Sequence, residues 1–365
     1  MRFYLIGAGV IGRTHAEAIR KLSLEEGVEL KVADPNPQAR SSFAELFPEA
    51  VVFSDAQEML SEKAEDDDIV IVGTPPVTHC PLSKLALESG RHVLCEKPLV
   101  MNREEAQELL ETANKHGRLI GCCSDRFLGL PKMEEVKKIV HSHSLGDIYK
   151  VTFVHRSQRS RPGIEYQPES RWFLDRSKCA GGIVMDWGPY DIAVINELLA
   201  PVSVKVAAAW TSQPKTQVDP TDIVYDVEGH VGAMLNCRLK DSREVRVHYE
   251  RASCTHGEPY NRVEIEGTLG AVRWSPYFGS DGVVTTYDEK GEPKSSERLA
   301  ANESGFKFLD HPVLFFVRKV RGEESPAIVN DQAVFNFSCL QAIYDCDLSG
   351  QPQVVELGQP PTVHK

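Results

Sequence analysis

The chain has 365 residues, 41% of them apolar and 26% charged, with a formal net charge of -12. This is the composition of a folded globular protein, and the length calls for two domains rather than one core. An acidic chain is a poor partner for nucleic acid, and no apolar run reaches the roughly 20 residues that span a bilayer.

The nine cysteines include no Cys-x-x-Cys pair. They read as buried free thiols in a reducing compartment, so neither a disulfide framework nor a metal site is expected. The apolar run Phe3-Tyr4-Leu5-Ile6 is needed by the fold almost from the first residue. That leaves no room for a cleavable signal peptide, and the expected location is the cytoplasm.

Taken in chain order, short apolar runs at 3–6, 30–33, 51–53, 69–72, 92–95 and 119–122 predict strands. Helical patterns at 16–22, 81–88 and 103–115 lie between them. Apolar strands alternating with helices predict an α/β domain on a parallel sheet. After Arg126 one more helical pattern, 132–140, precedes a change of texture. Alternation and β-branched residues at 148–154, 202–210, 223–227, 231–239, 245–249 and 263–265 predict a large, open, mainly antiparallel sheet. Helices are expected at 191–199, 306–320 and 332–348, giving this domain an α+β character with one sheet face covered. The expected division is a dinucleotide-binding domain over 1–124 and a substrate-binding and oligomerisation domain over 125–365.

Gly7-Ala8-Gly9-Val10-Ile11-Gly12 follows the first strand and opens a helix. The first glycine suits a tight turn, the second lets the backbone approach a pyrophosphate, and the third lets helix and strand pack closely. The second strand ends at Asp34, the distance expected for a carboxylate that accepts from a ribose 2′-hydroxyl and repels a 2′-phosphate. NAD is therefore the expected cofactor, with NADP as the alternative if Arg40 or Lys31 assists a phosphate. Gly73-Thr74-Pro75-Pro76-Val77-Thr78-His79 follows the fourth strand. Its prolines end a ladder and start a helix, and the loop also suits a cofactor contact through Thr74, Pro75 and His79. His79 itself reads more readily as a cap or packing residue.

Lys97 stands in Glu96-Lys97-Pro98 at the carboxyl end of the apolar run 92–95. Ligands bind at that edge of an open parallel sheet, so Lys97 is a candidate proton donor or acceptor. Farther on, Gly181-Gly182 leads to Asp186-Trp187-Gly188-Pro189-Tyr190-Asp191. If Asp186 begins a helix, Tyr190 lies one turn later on the same face. A glycine-rich cap before an ordinary amphipathic helix explains the stretch equally well.

Together these segments resemble the glucose–fructose oxidoreductase / inositol dehydrogenase (Gfo/Idh/MocA) family over nearly the whole chain. The resemblance implies a Rossmann domain followed by a domain with a large open sheet used for dimer or tetramer contacts. It also implies hydride transfer between a nicotinamide and a carbon of a sugar or cyclitol, with Lys97 and Asp186 in the catalytic site. Many members carry histidine where Tyr190 stands, Ala193 replaces a common second aspartate, and Pro76 replaces a usual asparagine. The expected chemistry has Tyr190 donating or accepting the proton, Lys97 polarising the oxygen and lowering the phenol pKa, and Asp186 orienting them.

The basic stretch 155–161, with Arg156, and the following Tyr166, Arg171 and Trp172 suit a polyhydroxylated ligand, including one that bears a carboxylate or phosphate. A solvated loop or a subunit contact accounts for them as well, and Arg126 joins them as a candidate at the substrate. Two other functions fit the chain: redox-neutral, NAD-dependent cleavage of a glycoside, and a non-catalytic sensor of dinucleotide or sugar.

Overall fold

Six short strands carry the first sheet: β1 (Arg2–Ile6), β2 (Glu29–Ala33), β3 (Val51–Phe53), β4 (Ile69–Val72), β5 (His92–Cys95) and β6 (Ile120–Cys122). The computed structural model describes residues 1–277, 282–299 and 305–358. All six strands are parallel, in the order β3-β2-β1-β4-β5-β6. The order reverses between β1 and β4, which is the topological switch point of a doubly wound sheet. β4 and β5 are buried at every position, so they read as continuous apolar runs rather than alternating ones. Crossover helices are punctuated locally. Asn36 accepts from the N–H groups of Gln38 and Ala39 to start Pro37–Leu46. Asn102 caps Arg103–His116, which stops at Gly117 in the left-handed region, φ +62°.

This unit comprises Met1–Arg126 together with Glu303–Val334. Helix His311–Val320 places Val313, Phe316 and Val317 in one apolar cluster with Phe3, Leu5, Ile71 and Leu94. The Phe316 ring lies so close to Gly121 that a Cβ there would approach it within 2.6 Å. The backbone follows suit, with Cys122 N–H on Ile328 O at 3.0 Å and Ile120 N–H on the Asn330 side chain at 3.0 Å. The expected boundary assigned this segment to the second domain. Its apolar stripe instead completes the first core, a pairing across about 200 residues that local sequence does not announce.

The second unit, Phe127–Asn302 with Phe335–Lys365, is built on β7 (Ile148–Arg156), β8 (Ser203–Ser212), β9 (His230–Arg238), β10 (Glu244–Ala252), β11 (Tyr260–Gly267), β12 (Gly270–Trp274), β13 (Val283–Asp288), β14 (Pro293–Arg298) and β15 (Gln353–Glu356). Among the described residues they form one sheet, β14-β13-β12-β11-β7-β10-β9-β8-β15. Its pairs are antiparallel except β7 with β10. Val245, Val247 and Tyr249 are buried while Glu244, Arg246 and His248 are exposed, the alternation of a sheet covered on one face. Helix Gly188–Leu199 is buried along almost its whole length.

The strand expected at 223–227 is absent. Asp226 N–H donates to Leu174 O and Tyr225 O accepts from Gln213, so this backbone is satisfied outside any ladder. Strands β12 to β15 had not been expected. All nine cysteines are buried free thiols, and no described helix is long and apolar enough to cross a membrane.

Candidate functional site

The glycine loop after β1 has the form of a dinucleotide cradle. Gly7 adopts φ +106°, and a Cβ there would lie 2.5 Å from the Gly73 carbonyl oxygen. A Cβ on Gly12 would lie 2.0 Å from Gly7 O, whereas one on Gly9 would meet nothing within 4 Å. Gly9 therefore borders open space where a pyrophosphate can approach, and Val10 beside it is 73% exposed. Asp34 reaches back to the loop: Oδ2 accepts from Ala8 N–H at 2.8 Å and Oδ1 from Asn36 N–H at 2.8 Å. Arg40 donates to the carbonyls of Asp34 and Pro35 at 2.8 and 3.0 Å, close to the ribose-binding end. Lys31 is the correction here. It lies mid-strand and pairs with Glu62 at 2.5 Å and Glu29 at 3.2 Å, so a 2′-phosphate would not find it.

At the next strand ends, Thr74 and Pro75 begin the loop after β4, and Glu96-Lys97 leave β5 as expected. His79 is fully buried, its Nδ1 2.8 Å from Pro98 O and its Nε2 2.8 Å from Thr74 O. It thus ties the β4 loop to the β5 loop, a packing role rather than a catalytic one. Burial lowers its pKa, against the opposing hydrogen bonds. Glu96 is also buried, and its Oε1 accepts from His15 Nε2 and from Arg126, both at 2.9 Å. Burial opposes ionisation of Glu96, yet Arg126 and His15 hold its carboxyl well below the usual range. Glu96 and Arg126 are thereby placed in an internal ion pair, directly before Lys97 and just after the turn that follows β6. Neither role had been legible, because the partners are 30 and 81 residues away.

In the second unit, Asp186 does not begin a helix. It ends the short helix Ile183–Asp186; Trp187 interrupts, and Gly188–Leu199 starts anew. Pro189 has no N–H for the carbonyl four residues earlier, which accounts for the break. The single-helix argument that put Asp186 and Tyr190 on one face therefore fails. Tyr190 is 3% exposed. Its ring lies edge-on to Phe127 at 5.1 Å and to Trp187 at 5.6 Å.

Asp191 is wholly internal and accepts from Tyr249 at 2.8 Å, from Arg251 Nε at 2.8 Å, and from Tyr277. The Arg251 guanidinium lies 5.0 Å from each of the Trp187 and Tyr277 rings. This cluster fixes the start of the helix that bears Tyr190. His155 joins it, 6.5 Å from the Trp187 ring. Burial, with Arg251, takes its pKa down to about 4.

The expected substrate residues lie in and beside the loop after β7. Arg156 is 3.8 Å from Glu250 and over the Tyr260 ring at 5.2 Å. Tyr166 is exposed, Arg171 donates to Gly163 O at 2.7 Å, and Trp172 stacks on Phe173 at 3.9 Å. None of these four lines the small cleft that borders Asp186. That cleft is formed instead by Phe173, Tyr225, Glu228, Ser253 and Arg161 among others. Arg161 is neutralised by Glu165 and Asp219, both at 2.6 Å.

Two domain models of one family match the chain: the oxidoreductase family, NAD-binding Rossmann fold, over residues 1–122, and the GFO/IDH/MocA C-terminal domain over 133–273. The chain belongs to the Gfo/Idh/MocA family and is an NAD(P)-dependent oxidoreductase. It is similar to an inositol 2-dehydrogenase of Rhizobium meliloti, 26% identical over 74% of each chain. It is also similar to a D-glucoside 3-dehydrogenase of Escherichia coli, 30% identical over 58% of each chain. An uncharacterized oxidoreductase of Bacillus subtilis is 26% identical over 65% of this chain, and the match spans 58% of that protein's length. Among solved structures, levoglucosan dehydrogenase with NADH and levoglucosan superposes with TM-score 0.77 at 18% identity, covering 98% of this chain and 99% of that one. GenD2 from gentamicin A biosynthesis, in complex with NAD, gives 0.73 at 24% identity, covering 98% and 97%. At these identities the structural likeness speaks for the fold.

Proposed function

We propose that the protein is a dehydrogenase or reductase of a secondary alcohol or ketone on a sugar, cyclitol or derivative, using NAD in preference to NADP. The observation that carries the reading is the cradle: an open Gly9, close-packed Gly7 and Gly12, and the Asp34 carboxylate anchored beside them. A bound nicotinamide supplies or takes the hydride. The chain's own residues must then move one proton to or from the reacting oxygen. Tyr190 is assigned that transfer, Lys97 the polarisation of the oxygen and Asp186 the orientation of the pair. Tyrosine in place of the family's usual histidine needs a nearby cation to act near neutrality, and Lys97 is assigned that part too. The dehydrogenase names of the relatives support the substrate class. The paired state of Arg161 and Arg156 favours a neutral polyol over a phosphate or carboxylate.

The test is a screen of sugars, inositols and sugar acids with NAD and with NADP, followed by Tyr190→Phe on the best substrate. Loss of the proton-transfer group should lower kcat by about 100-fold or more, with NAD affinity retained. Near-normal turnover of the variant would leave Lys97 as the main acid/base. Cleavage of a glycoside with no net NADH would replace dehydrogenation by the redox-neutral reaction.

A further inference from the structure

The turn that delivers Asp186 is clamped from one side by a single residue. A Cβ on Gly182 would lie 1.9 Å from the Glu228 carbonyl oxygen, and one on Gly181 would lie 2.0 Å from the Tyr344 hydroxyl. The chain therefore runs in direct contact with residues 228 and 344 just before the helix Ile183–Asp186. Glu228 supplies that helix with its missing acceptors. Its carbonyl accepts the Ile183 N–H at 3.1 Å, and its Oε1 accepts the Val184 N–H at 3.0 Å. The first N–H groups of any helix lack partners within it, so both are satisfied from one position.

The carboxylate is itself braced. Oε1 also accepts from Tyr344 at 2.7 Å, and Oε2 accepts from Arg176 at 3.0 Å. The Arg176 guanidinium lies 4.9 Å from the Tyr344 ring centre, closing the network. Burial, reinforced by Glu228, holds the Tyr344 hydroxyl well above its usual range, so it stays a donor. Glu228 is only 6% exposed. Burying a carboxylate is unfavourable unless its oxygens are satisfied, and here they are satisfied by the turn and by two side chains that brace it. Glu228 also borders the cleft next to Asp186.

We infer that Glu228 is a positioning residue: it fixes the Gly181–Asp186 turn and so sets the placement of Asp186 and, one residue beyond Trp187, of the helix bearing Tyr190. The inference rests on the roles proposed above for Asp186 and Tyr190.

Glu228→Ala, Glu228→Gln and Tyr344→Phe in the full chain test it, with NAD and the best alcohol from the screen. Glu228→Ala should lower kcat by about 10- to 100-fold, the scale of a small misplacement of reacting groups. NAD affinity should stay within about twofold and KM should change less than kcat. Glu228→Gln keeps an acceptor for Val184 and Tyr344 and loses the Arg176 ion pair, so it should recover most of that loss. Amide hydrogen exchange over 182–187 should rise in Glu228→Ala while β1 to β5 are unchanged. A folded Glu228→Ala with unaltered kcat, or with unaltered exchange at 182–187, overturns the inference. If Glu228→Ala does not fold, unaltered kcat and exchange in both Glu228→Gln and Tyr344→Phe do the same. A wild-type protein that turns over no alcohol would overturn the proposed function, and the exchange measurement would still decide the role of Glu228.

Discussion

Asp125, in the short helical turn that follows β6, is 1% exposed. Burial pushes its carboxyl up to about 8, Arg126 opposing the shift and Glu96 adding to it. The folded protein holds a proton there that the unfolded chain releases at the ordinary carboxylate value of about 4. The stability this group contributes is thus complete below about pH 4 and is lost as the pH rises toward 8. Asp125→Asn removes that dependence. Urea unfolding should show the variant gaining on the wild type from pH 5 to pH 8, by up to about 1.4 kcal/mol per pH unit; a constant difference would contradict the buried neutral acid. Asp34→Ala bears on the cofactor instead. It should weaken NAD by roughly 10- to 100-fold, as expected for lost hydrogen bonds to a charged group worth about 1.5–3 kcal/mol. NADP should be affected less, and titration of both nucleotides measures the difference. The placement of Gly7 and Gly12 in the loop after β1, of Asp34 at the end of β2 and of Lys97 just past β5 was legible because it follows from local spacing. Asp191, Glu228 and Lys31 were not, since their partners are set by the fold. Asp191 meets Tyr249 and Arg251 across 58 and 60 residues, and no local pattern carries that.

The elements of the first unit were the most readable, because a parallel strand buried on both faces is a plain apolar run. Strands β4 and β5 coincide with the runs at 69–72 and 92–95. The second sheet was harder. β13 and β14 carry Thr285, Thr286, Ser295 and Ser296, giving little apolar alternation for a pattern to detect. The stretch 223–227 misled for the opposite reason: it is β-branched, yet Ile223 and Val224 are exposed in an irregular segment. The break at Trp187 follows from Pro189, a signal present in the sequence. Helix His311–Val320 provides an element-scale prediction. Phe316→Ala should destabilise the protein by about 3–5 kcal/mol through the cavity left beside Gly121. Thermal or urea unfolding of both proteins checks it, and a loss below 1 kcal/mol would mean this helix contributes little to the first core.

At the scale of the molecule, the covered face of the second sheet is distinct from its bare one. Trp210, Met234 and His248 all lie among the exposed positions of β8, β9 and β10, with Trp210 45% and Met234 42% exposed. An apolar patch on a wide sheet suits association with a second copy, the subunit contact expected for this domain. Light scattering should give a multiple of the 40.6 kDa chain mass. The double variant Trp210→Asp, Met234→Asp should lower it toward one chain, and an unchanged mass would place the contact elsewhere.

Residues 303–334 also impose an order on biosynthesis. The parallel sheet has all its strands once Cys122 is made, but the helix that completes its core ends at Val320. At about 5–20 residues per second, a ribosome needs roughly 10–40 s to travel from Cys122 to Val334. For that interval the nascent first unit lacks Val313, Phe316 and Val317 and presents the apolar residues they would cover. Slow translation or a premature stop within the second unit should therefore yield a sticky, chaperone-dependent fragment, even though the glycine loop, Asp34 and Lys97 have all been synthesised.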